Sequence, residues 1–289
     1  LTVDGWGDNS SSKFYKVQNG DLNLISKTNT IDSLGYFYGS ITKLLGFKPH
    51  RHEGKILGLA AYGNYKKAYP IISKMISYDK TNRTFKGNFE KGLYLAEFEN
   101  PNISFLKKKF SSKDIAAAAQ KRIEEVIIEF INHNIPKKSK IALAGGVFAN
   151  VKINQKISEH KKIDEIFIFP NMGDGGLSVG AAVLSLVKHS KYRSFKLKDV
   201  YLGPKYSSRQ ILKEIKKEKL KILKLRRPSK YLASEIHEGK VIGCFQGRME
   251  FGPRALGARS ILADPRSEKM QKNLNLKVKF RESFRPFAP

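Results

Sequence analysis

Glycine pairs that follow two short apolar segments constrain the fold of this chain more than any other feature of its sequence. The first segment, 141–144, runs into Gly145 and Gly146, and a helical segment follows it. The second segment, 166–169, ends at the glycine-rich loop 171–176, before a helix of small residues. Strands that alternate with helices form parallel sheets, and ligands bind at the carboxyl ends of such strands. The sequence therefore predicts an α/β fold with ligand-binding loops at both glycine segments.

The chain is predicted to contain two domains, 1–190 and 200–289. The segment between them is polar and irregular and ends in a Gly-Pro dipeptide, which is typical of a boundary. We expect the first domain to lack its amino-terminal part and the second to lack its carboxyl-terminal part. Ser111 is predicted to cap an amphipathic helix in the first domain. In the second domain we predict helices over 207–219 and 231–238 and a buried strand over 241–245.

The net charge of +28 raises the possibility of an anionic partner. The lysines are scattered along the chain, however, and no arginine-rich arm is present. This pattern favours a general basic bias and small anionic substrates over nucleic acid. No apolar run reaches the roughly 18 to 20 residues that would span a bilayer, so no membrane partner is expected. The single cysteine, Cys244, argues for a reducing compartment, and we expect a cytoplasmic protein.

Two acidic segments of the first domain suit contacts to a nucleotide. Asp4 follows a strand and precedes a glycine-rich turn, although an acidic β-hairpin turn fits these residues as well. Glu53 and Lys55 lie beside closely spaced glycines, where nucleotide contacts and a helix packed through small residues are even alternatives. The nearby His50 and His52 have no third ligand in the same segment, so we assign them no role.

The two glycine segments of the opening pattern also carry candidate site residues. Gly145 and Gly146 offer backbone N–H groups to an anion, and Asn150 can read a polar edge of a base. Asp174 lies among glycines at a strand end, where a carboxylate can bind a divalent cation. A helix N-cap is an equally good account of Asp174. Both interpretations stay open at this point.

A segment dense in arginine, glycine and proline, 247–266, is the strongest single feature, and a basic segment over 275–289 follows it. Arginine forks bind phosphate oxygens in pairs, and lysine adds a mobile point charge. Glycine and proline fix the backbone that directs these side chains, which a merely solvated basic face does not need. We therefore favour an anion-binding site in this region.

Taken together, these segments resemble the carbamoyltransferase family of nodulation-factor and antibiotic-tailoring enzymes. The resemblance implies a first domain of the actin-like ATPase type and an incomplete YrdC-like α/β domain after it. It also implies that the second domain makes carbamoyladenylate from carbamoyl phosphate and ATP. The first domain would then transfer the carbamoyl group to a hydroxyl of a small-molecule acceptor such as a sugar or an antibiotic. The implied cofactors are ATP and iron or another divalent metal, with Mg²⁺ possible alongside ATP.

The resemblance also implies roles for individual residues. Asp174 is similar to the metal-binding carboxylate of the family. Arg254, Lys279 and Arg285 resemble the catalytic cluster that holds carbamoyl phosphate and the ATP phosphates. The residues expected to contact the nucleotide are Asp4, Glu53, Lys55, Gly145, Gly146 and Asn150, with Arg248 and Arg259 as helpers.

The sequence departs from the family pattern in two respects and leaves several alternatives. Arginines from the later part of the YrdC-like domain are expected beyond Pro289. Two metal-binding histidines spaced four apart belong to the pattern, and this sequence has no His-x-x-x-His. We therefore expect the chain to be inactive alone. The other interpretations are an enzyme of tRNA threonylcarbamoyladenosine synthesis, a hydrogenase-maturation carbamoyltransferase, an actin-like sugar kinase and a basic nucleic-acid-binding protein without catalysis.

Overall fold

The computed structural model describes residues 1–88, 90, 95, 96, 98–135, 138–192 and 195–287. Over these residues the chain is a mixed α/β protein with several small sheets, as the α/β prediction requires. It divides into two compact units, Leu1–Arg193 and Ser194–Pro289. Residues 288 and 289, which end the predicted basic segment, lie outside the described residues.

The first unit contains three antiparallel strand pairs and a strand–helix–strand segment. Its strands are β1 (Thr2–Gly7), β2 (Ser10–Gln18), β3 (Asp21–Thr28), β4 (Ile76–Asp79), β5 (Thr84–Gly87), β6 (Ser139–Leu143) and β7 (Ile163–Ile168). Its helices are α1 (Leu34–Leu44), α2 (Glu53–Ala60), α3 (Tyr65–Ile72), α4 (Leu106–Lys109), α5 (Ser112–Asn134), α6 (Val151–Ser158) and α7 (Leu177–His189). The predicted strand, helix and strand from residue 141 onward are thus confirmed as β6, α6 and β7.

The principal sheet joins an antiparallel part to a parallel part. Strands β1, β2 and β3 pair antiparallel, whereas β6 and β7 pair parallel. A parallel bridge between Thr2 and Ala144 connects the two parts, and the Val3 N–H donates to the Ala144 carbonyl at 2.9 Å. The resulting strand order is β3-β2-β1-β6-β7. The carboxyl ends of β6 and β7 therefore lie side by side, next to the amino-terminal residues of β1.

The turn between β1 and β2 confirms a hairpin in the first acidic segment, and nucleotide contacts by Asp4 stay a prediction. Gly7 pairs with Ser10, and the two residues between them, Asp8 and Asn9, have φ values of 49° and 56°. Two positive φ angles in a two-residue connection are typical of a type I′ hairpin turn, which Asp and Asn tolerate. Asp8 therefore belongs to a hairpin turn, whereas Asp4 lies within the strand.

Helix α5 forms the centre of the helical layer of the first unit. The Ser111 side chain accepts a hydrogen bond from the Asp114 N–H at 3.2 Å, which confirms the predicted N-cap. Helices α2 and α3 pack against α5, and Ile123, Ile127 and Phe130 are fully buried on its inner side. Each such side chain contributes about 1.5–3 kcal/mol through burial. Within the described ranges, no helix is both long enough and apolar enough to cross a membrane.

The second unit consists of short elements around a two-stranded sheet. They are α8 (Ser208–Lys217), α9 (Pro228–His237), β8 (Ile242–Phe245), β9 (Arg259–Leu262), α10 (Met270–Asn273) and a π-helical turn (Leu274–Val278). Both predicted helices are confirmed: Ser207 and Gln210 form a capping box at the start of α8, and α9 begins with Pro228.

The prediction of a buried strand over 241–245 is wrong with respect to burial. Strand β8 exists, but its residues alternate between half-buried and exposed, and the Phe245 side chain is 56% exposed. Strand β8 pairs antiparallel with β9 in a two-stranded sheet, which cannot shield both of its faces. The apolar sequence therefore indicates the strand correctly and its burial incorrectly.

Candidate functional site

Asp4 connects two of the predicted site segments at the edge of the principal sheet. Its Oδ1 accepts a hydrogen bond from its neighbour, the Gly5 N–H, at 2.7 Å. Its Oδ2 accepts a hydrogen bond from the Gly146 N–H at 3.0 Å. The structure therefore brings Asp4, near the start of β1, next to the glycine pair that follows β6. The Gly146 N–H is directed at an acidic side chain of the same chain.

Gly145 occupies a position that requires glycine. Its φ is +103°, and a Cβ there would lie 2.1 Å from the Val3 carbonyl oxygen. Its N–H donates to the Met172 carbonyl at 2.6 Å, which links the turn after β6 to the loop after β7. The turn can therefore lie directly against the first residues of β1 only because no side chain intervenes.

A second connection runs from Asp4 in β1 to the start of α1. The Ser33 hydroxyl caps α1 by accepting from the Tyr36 N–H at 3.0 Å, and it donates to the Asp4 carbonyl at 2.9 Å. Ser33 is completely buried. Sequence analysis did not identify it, although a serine directly before a helical apolar run is a recognisable N-cap signal.

Asp174 begins a single 3-10 turn, Asp174–Gly176, and its side chain is exposed. The N-cap positions of this turn and of α7 are Gly173 and Gly176, and neither makes a side-chain capping bond. The alternative interpretation of Asp174 as an N-cap is therefore not observed. In the part of the chain that the structure describes, no three His, Cys, Asp or Glu residues form a group that could hold a metal ion. One carboxylate does not make up such a donor set, so metal binding by Asp174 stays a prediction.

Glu53 and Lys55 lie in the first turn of α2. The Glu53 Oε1 accepts from the His50 N–H at 2.6 Å, and the Lys55 Nζ lies 5.1 Å from the centroid of the Phe47 ring. Farther along the helix, Ile56 is fully buried and Leu59 is nearly so. The packed-helix interpretation therefore describes the apolar residues of α2. Nucleotide contacts by Glu53 and Lys55 stay a prediction.

Asn150 ends the glycine turn and begins α6. Its Oδ1 accepts from the Lys152 and Ile153 N–H groups at 3.2 and 3.3 Å, so it acts as the N-cap. Its Nδ2 donates to the Gln120 Oε1 at 2.8 Å, and the Gln120 Nε2 donates back to the Asn150 Oδ1 at 3.2 Å. The Asn150 amide is thus engaged within the chain. A contact from it to a base stays a prediction.

In the second unit, Arg248 connects the predicted basic segment to the segment that precedes α8 through two hydrogen bonds. Its Nε donates to the Gly203 carbonyl at 2.6 Å and its Nη2 to the Leu202 carbonyl at 3.1 Å. Backbone bonds from Gly203 N–H to the Met249 carbonyl and from Phe251 N–H to the Val200 carbonyl, at 3.0 and 2.6 Å, reinforce the junction. Arg248 therefore has a structural function, and its role at a ligand stays a prediction.

Arg259 is held by Glu250, a buried carboxylate. Glu250 accepts from the Leu256 and Ala258 N–H groups, both at 2.7 Å, and from the Arg259 Nε at 3.2 Å. Burial acts to raise the pKa of Glu250, but these hydrogen bonds outweigh it and lower the pKa to about 2. Glu250 thus organises the loop between residues 250 and 259, a role that sequence analysis missed because nothing in the local pattern indicates its burial.

The three predicted catalytic residues differ in their surroundings. Arg254 and Lys279 are exposed, and their side chains make no hydrogen bond or ion pair with other described residues. Arg285 is half-buried, and its Nη1 lies 3.9 Å from the Glu282 Oε2. The buried Asn275 donates to the Arg285 carbonyl at 2.8 Å and so fixes its backbone. Arg254 and Lys279 therefore keep their charges available for an anionic ligand.

The order of these sites along the chain matches that of known proteins. A family model described as carbamoyltransferase N-terminus matches residues 1–183, and one described as carbamoyltransferase C-terminus matches residues 233–289. The chain belongs to the carbamoyltransferase family. The boundaries of the first match show that the carbamoyltransferase homology includes Asp4, the glycine turn and Asp174. The second match covers both predicted basic segments, 247–266 and 275–289.

Curated relatives agree with this assignment. An uncharacterized protein of Methanocaldococcus jannaschii is 35% identical over 100% of this chain and 51% of its own length. The nodulation protein NolNO of Sinorhizobium fredii is 32% identical over 100% of this chain and 43% of its own length. The 3'-hydroxymethylcephem-O-carbamoyltransferase of Streptomyces clavuligerus is 26% identical over 84% of this chain and 45% of its own length. This carbamoyltransferase chain thus spans about half the length of the curated relatives it matches.

Proposed function

We propose that the chain is part of an O-carbamoyltransferase that uses ATP and carbamoyl phosphate and delivers the carbamoyl group to a hydroxyl of a small-molecule acceptor. The observation that carries the proposal is the match of both carbamoyltransferase models, in order, to one chain. The relative named for 3'-hydroxymethylcephem supports a hydroxyl acceptor. Because the chain spans about half of such relatives, the activity is proposed for the whole protein.

In this proposal the second unit, as part of a YrdC-like domain, activates the carbamoyl group. Carbamoyl phosphate and water give carbamate and phosphate, and the carbamate oxygen attacks the α-phosphorus of ATP to form carbamoyladenylate and pyrophosphate. Negative charge builds up on phosphate oxygens during both steps, and fixed cations stabilise it. The charges of Arg254 and Lys279, which are exposed and form no ion pair within the described residues, suit this role. Arg285 is the third member of the proposed cluster.

The first unit, which we assign to the actin-like ATPase type, would perform the transfer. The strand order β3-β2-β1-β6-β7 and the clustering of Asp4 and the glycine turn at one sheet edge support this assignment. There the acceptor hydroxyl attacks the carbamoyl carbon, and AMP leaves with the electron pair of the broken C–O bond. The proposal also includes an iron-type metal or Mg²⁺. Asp174 is the one residue that we expect to bind it. Both substrates are metabolites of the cytoplasm, where we place the reaction.

The direct test uses the full-length protein. Pyrophosphate release from ATP is measured with and without carbamoyl phosphate, and carbamoyl transfer is then measured with a panel of hydroxylated sugars and antibiotics. We expect pyrophosphate release that depends on carbamoyl phosphate and at least one carbamoylated acceptor. Pyrophosphate release that ignores carbamoyl phosphate would contradict the proposal. Modification of tRNA with no small-molecule transfer would favour the threonylcarbamoyladenosine alternative, to which the charge of +28 is suited.

A further inference from the structure

A buried polar network lies directly behind the glycine turn of the first unit. At its centre is Gln120, on α5, whose side chain is almost inaccessible to solvent. Gln120 Oε1 accepts hydrogen bonds from the Tyr38 hydroxyl at 2.7 Å and from the Asn150 Nδ2 at 2.8 Å. Gln120 Nε2 donates to the Glu124 Oε1 at 2.8 Å and to the Asn150 Oδ1 at 3.2 Å. None of these residues except Asn150 belongs to the proposed site.

These four bonds use the full capacity of the Gln120 amide, which has two acceptor sites and two donor hydrogens. The arrangement also fixes which way the amide faces. If the amide were reversed, its oxygen would face the Glu124 carboxylate and its NH₂ group would face the Asn150 NH₂ group. A buried polar group without a partner costs about 1–3 kcal/mol. The side chain is therefore held in one orientation.

The network connects the glycine turn to three helices. Tyr38 lies on α1, Gln120 and Glu124 on α5, and the Lys156 Nζ of α6 lies 3.6 Å from the Glu124 Oε2. Asn150 is the point at which the network reaches the turn. At its opposite end, the turn is fixed by the bonds of Gly145 to the Met172 carbonyl and of Gly146 to Asp4. Both ends of the turn are thus anchored, one by the sheet edge and one by Gln120.

We propose that Gln120 is a positioning residue for carbamoyl transfer, because its amide holds Asn150 and thereby sets the geometry of the Gly145–Gly146 turn. The inference rests on the proposed function of the first unit. It names Gln120, which affects the glycine turn through Asn150. Gln120 is shielded from solvent by its neighbours and touches no proposed substrate. Its effect on the reaction passes through Asn150. A small displacement of a binding turn can lower the rate of a reaction substantially.

Two variants of the full-length protein test the proposal. Gln120→Leu removes all four bonds, whereas Asn150→Asp keeps the helix cap and removes the donor to Gln120. The matched control is Gln155→Leu on α6, where the glutamine is exposed and bonds to Glu159. Transfer is assayed with preformed carbamoyladenylate, and pyrophosphate formation is assayed separately. Hydrogen exchange of the peptide over 144–150 reports the turn itself.

For both site variants we expect about a tenfold fall in kcat/KM for transfer, caused mainly by a higher KM. We also expect faster exchange in the peptide over 144–150, and unchanged pyrophosphate formation. The Gln155→Leu control should match the wild type in all three measurements. Should Gln120→Leu fail to fold, hydrogen exchange of the 144–150 peptide in Asn150→Asp decides, because Asn150 is itself a predicted nucleotide contact and its transfer rate alone does not separate the two roles. Wild-type transfer together with wild-type exchange in Asn150→Asp would overturn the inference. If the unaltered protein transfers no carbamoyl group, the proposed function has failed, and the exchange data still decide whether Gln120 holds the turn.

Discussion

The Asp4 carboxylate accepts a hydrogen bond from the Gly146 N–H at 3.0 Å, across a separation of 142 residues. This bond joins the amino-terminal part of β1 to the turn after the parallel strand β6, and the Gly145 N–H of the same turn donates to the Met172 carbonyl in the loop after β7. The candidate transfer site is therefore assembled by the sheet from segments distant in sequence. Its geometry depends on the register of β1 against β6.

Asp4→Asn in the full-length protein should lower carbamoyl transfer by roughly tenfold or more, because the substitution weakens a charged acceptor of the Gly146 N–H. Asp8→Asn is the matched control, since Asp8 lies in the β1–β2 hairpin turn and Asn tolerates its positive φ. Transfer from preformed carbamoyladenylate is the measurement. Equal activity of the two variants would show that Asp4 is not needed at the sheet edge.

Gly145→Ala should destabilise the first unit by on the order of 2–4 kcal/mol. Its φ of +103° is unfavourable for alanine, and the new methyl group would meet the Val3 carbonyl oxygen. Gly180→Ala is the control: it lies within α7, where a Cβ would have no atom within 4 Å. That substitution should be neutral or stabilising by up to about 1 kcal/mol. Urea unfolding of both variants measures the difference, and similar midpoints would refute the close approach.

Glu250→Gln should flatten the acid dependence of stability in the second unit. The pKa of Glu250 is lowered from 4.5 to about 2 in the folded chain, so folding favours the ionised carboxylate. Its stabilisation is complete above about pH 5 and is lost as the pH falls through about 2. Unfolding midpoints between pH 2 and 7 measure this, with the exposed Glu218→Gln as the control. A Glu250→Gln curve parallel to that of the wild type would rule out the hydrogen-bonded carboxylate.

Arg254→Ala and Lys279→Ala should each lower carbamoyl-phosphate-dependent pyrophosphate release by about tenfold to a hundredfold. Neither side chain bonds to another described residue, so stability should change by less than about 0.5 kcal/mol. Lys272→Ala is the control, because Lys272 is an exposed lysine of α10 in the same unit. Unchanged pyrophosphate release in both Arg254→Ala and Lys279→Ala would remove these residues from the proposed cluster.

Local signals made much of the fold predictable. Ser111 before an apolar helical pattern and Gly145 after a strand each indicate an element boundary through neighbouring residues alone. Their prediction succeeded because the physics of caps and turns involves only a few consecutive residues. The same local pattern identified strand β8 but not its exposure, since burial depends on what packs against a strand.

The contacts that tertiary structure creates could not be predicted. Nothing near Gln120 in the sequence indicates that it pairs with Asn150, 30 residues away, or that Tyr38 completes the set. Glu250 likewise lies in a segment singled out for its arginines, yet it is the buried carboxylate that holds Arg259. Sequence analysis identified the charged and glycine-rich segments. Which side chains hold others in place became clear only from the folded arrangement.

The hydrogen bonds at Arg248 bring together two segments of the second unit that are distant in sequence. Because hydrogen bonds tie 200–203 to 248–251, the intervening chain forms a closed loop with both ends fastened. The entropic cost of such a loop rises by only about 0.6 kcal/mol for each doubling of its length. The connections before α8 and between α8 and α9 can therefore lengthen at little thermodynamic cost, whereas β8 is held in place because it pairs with β9 in the arginine-rich segment.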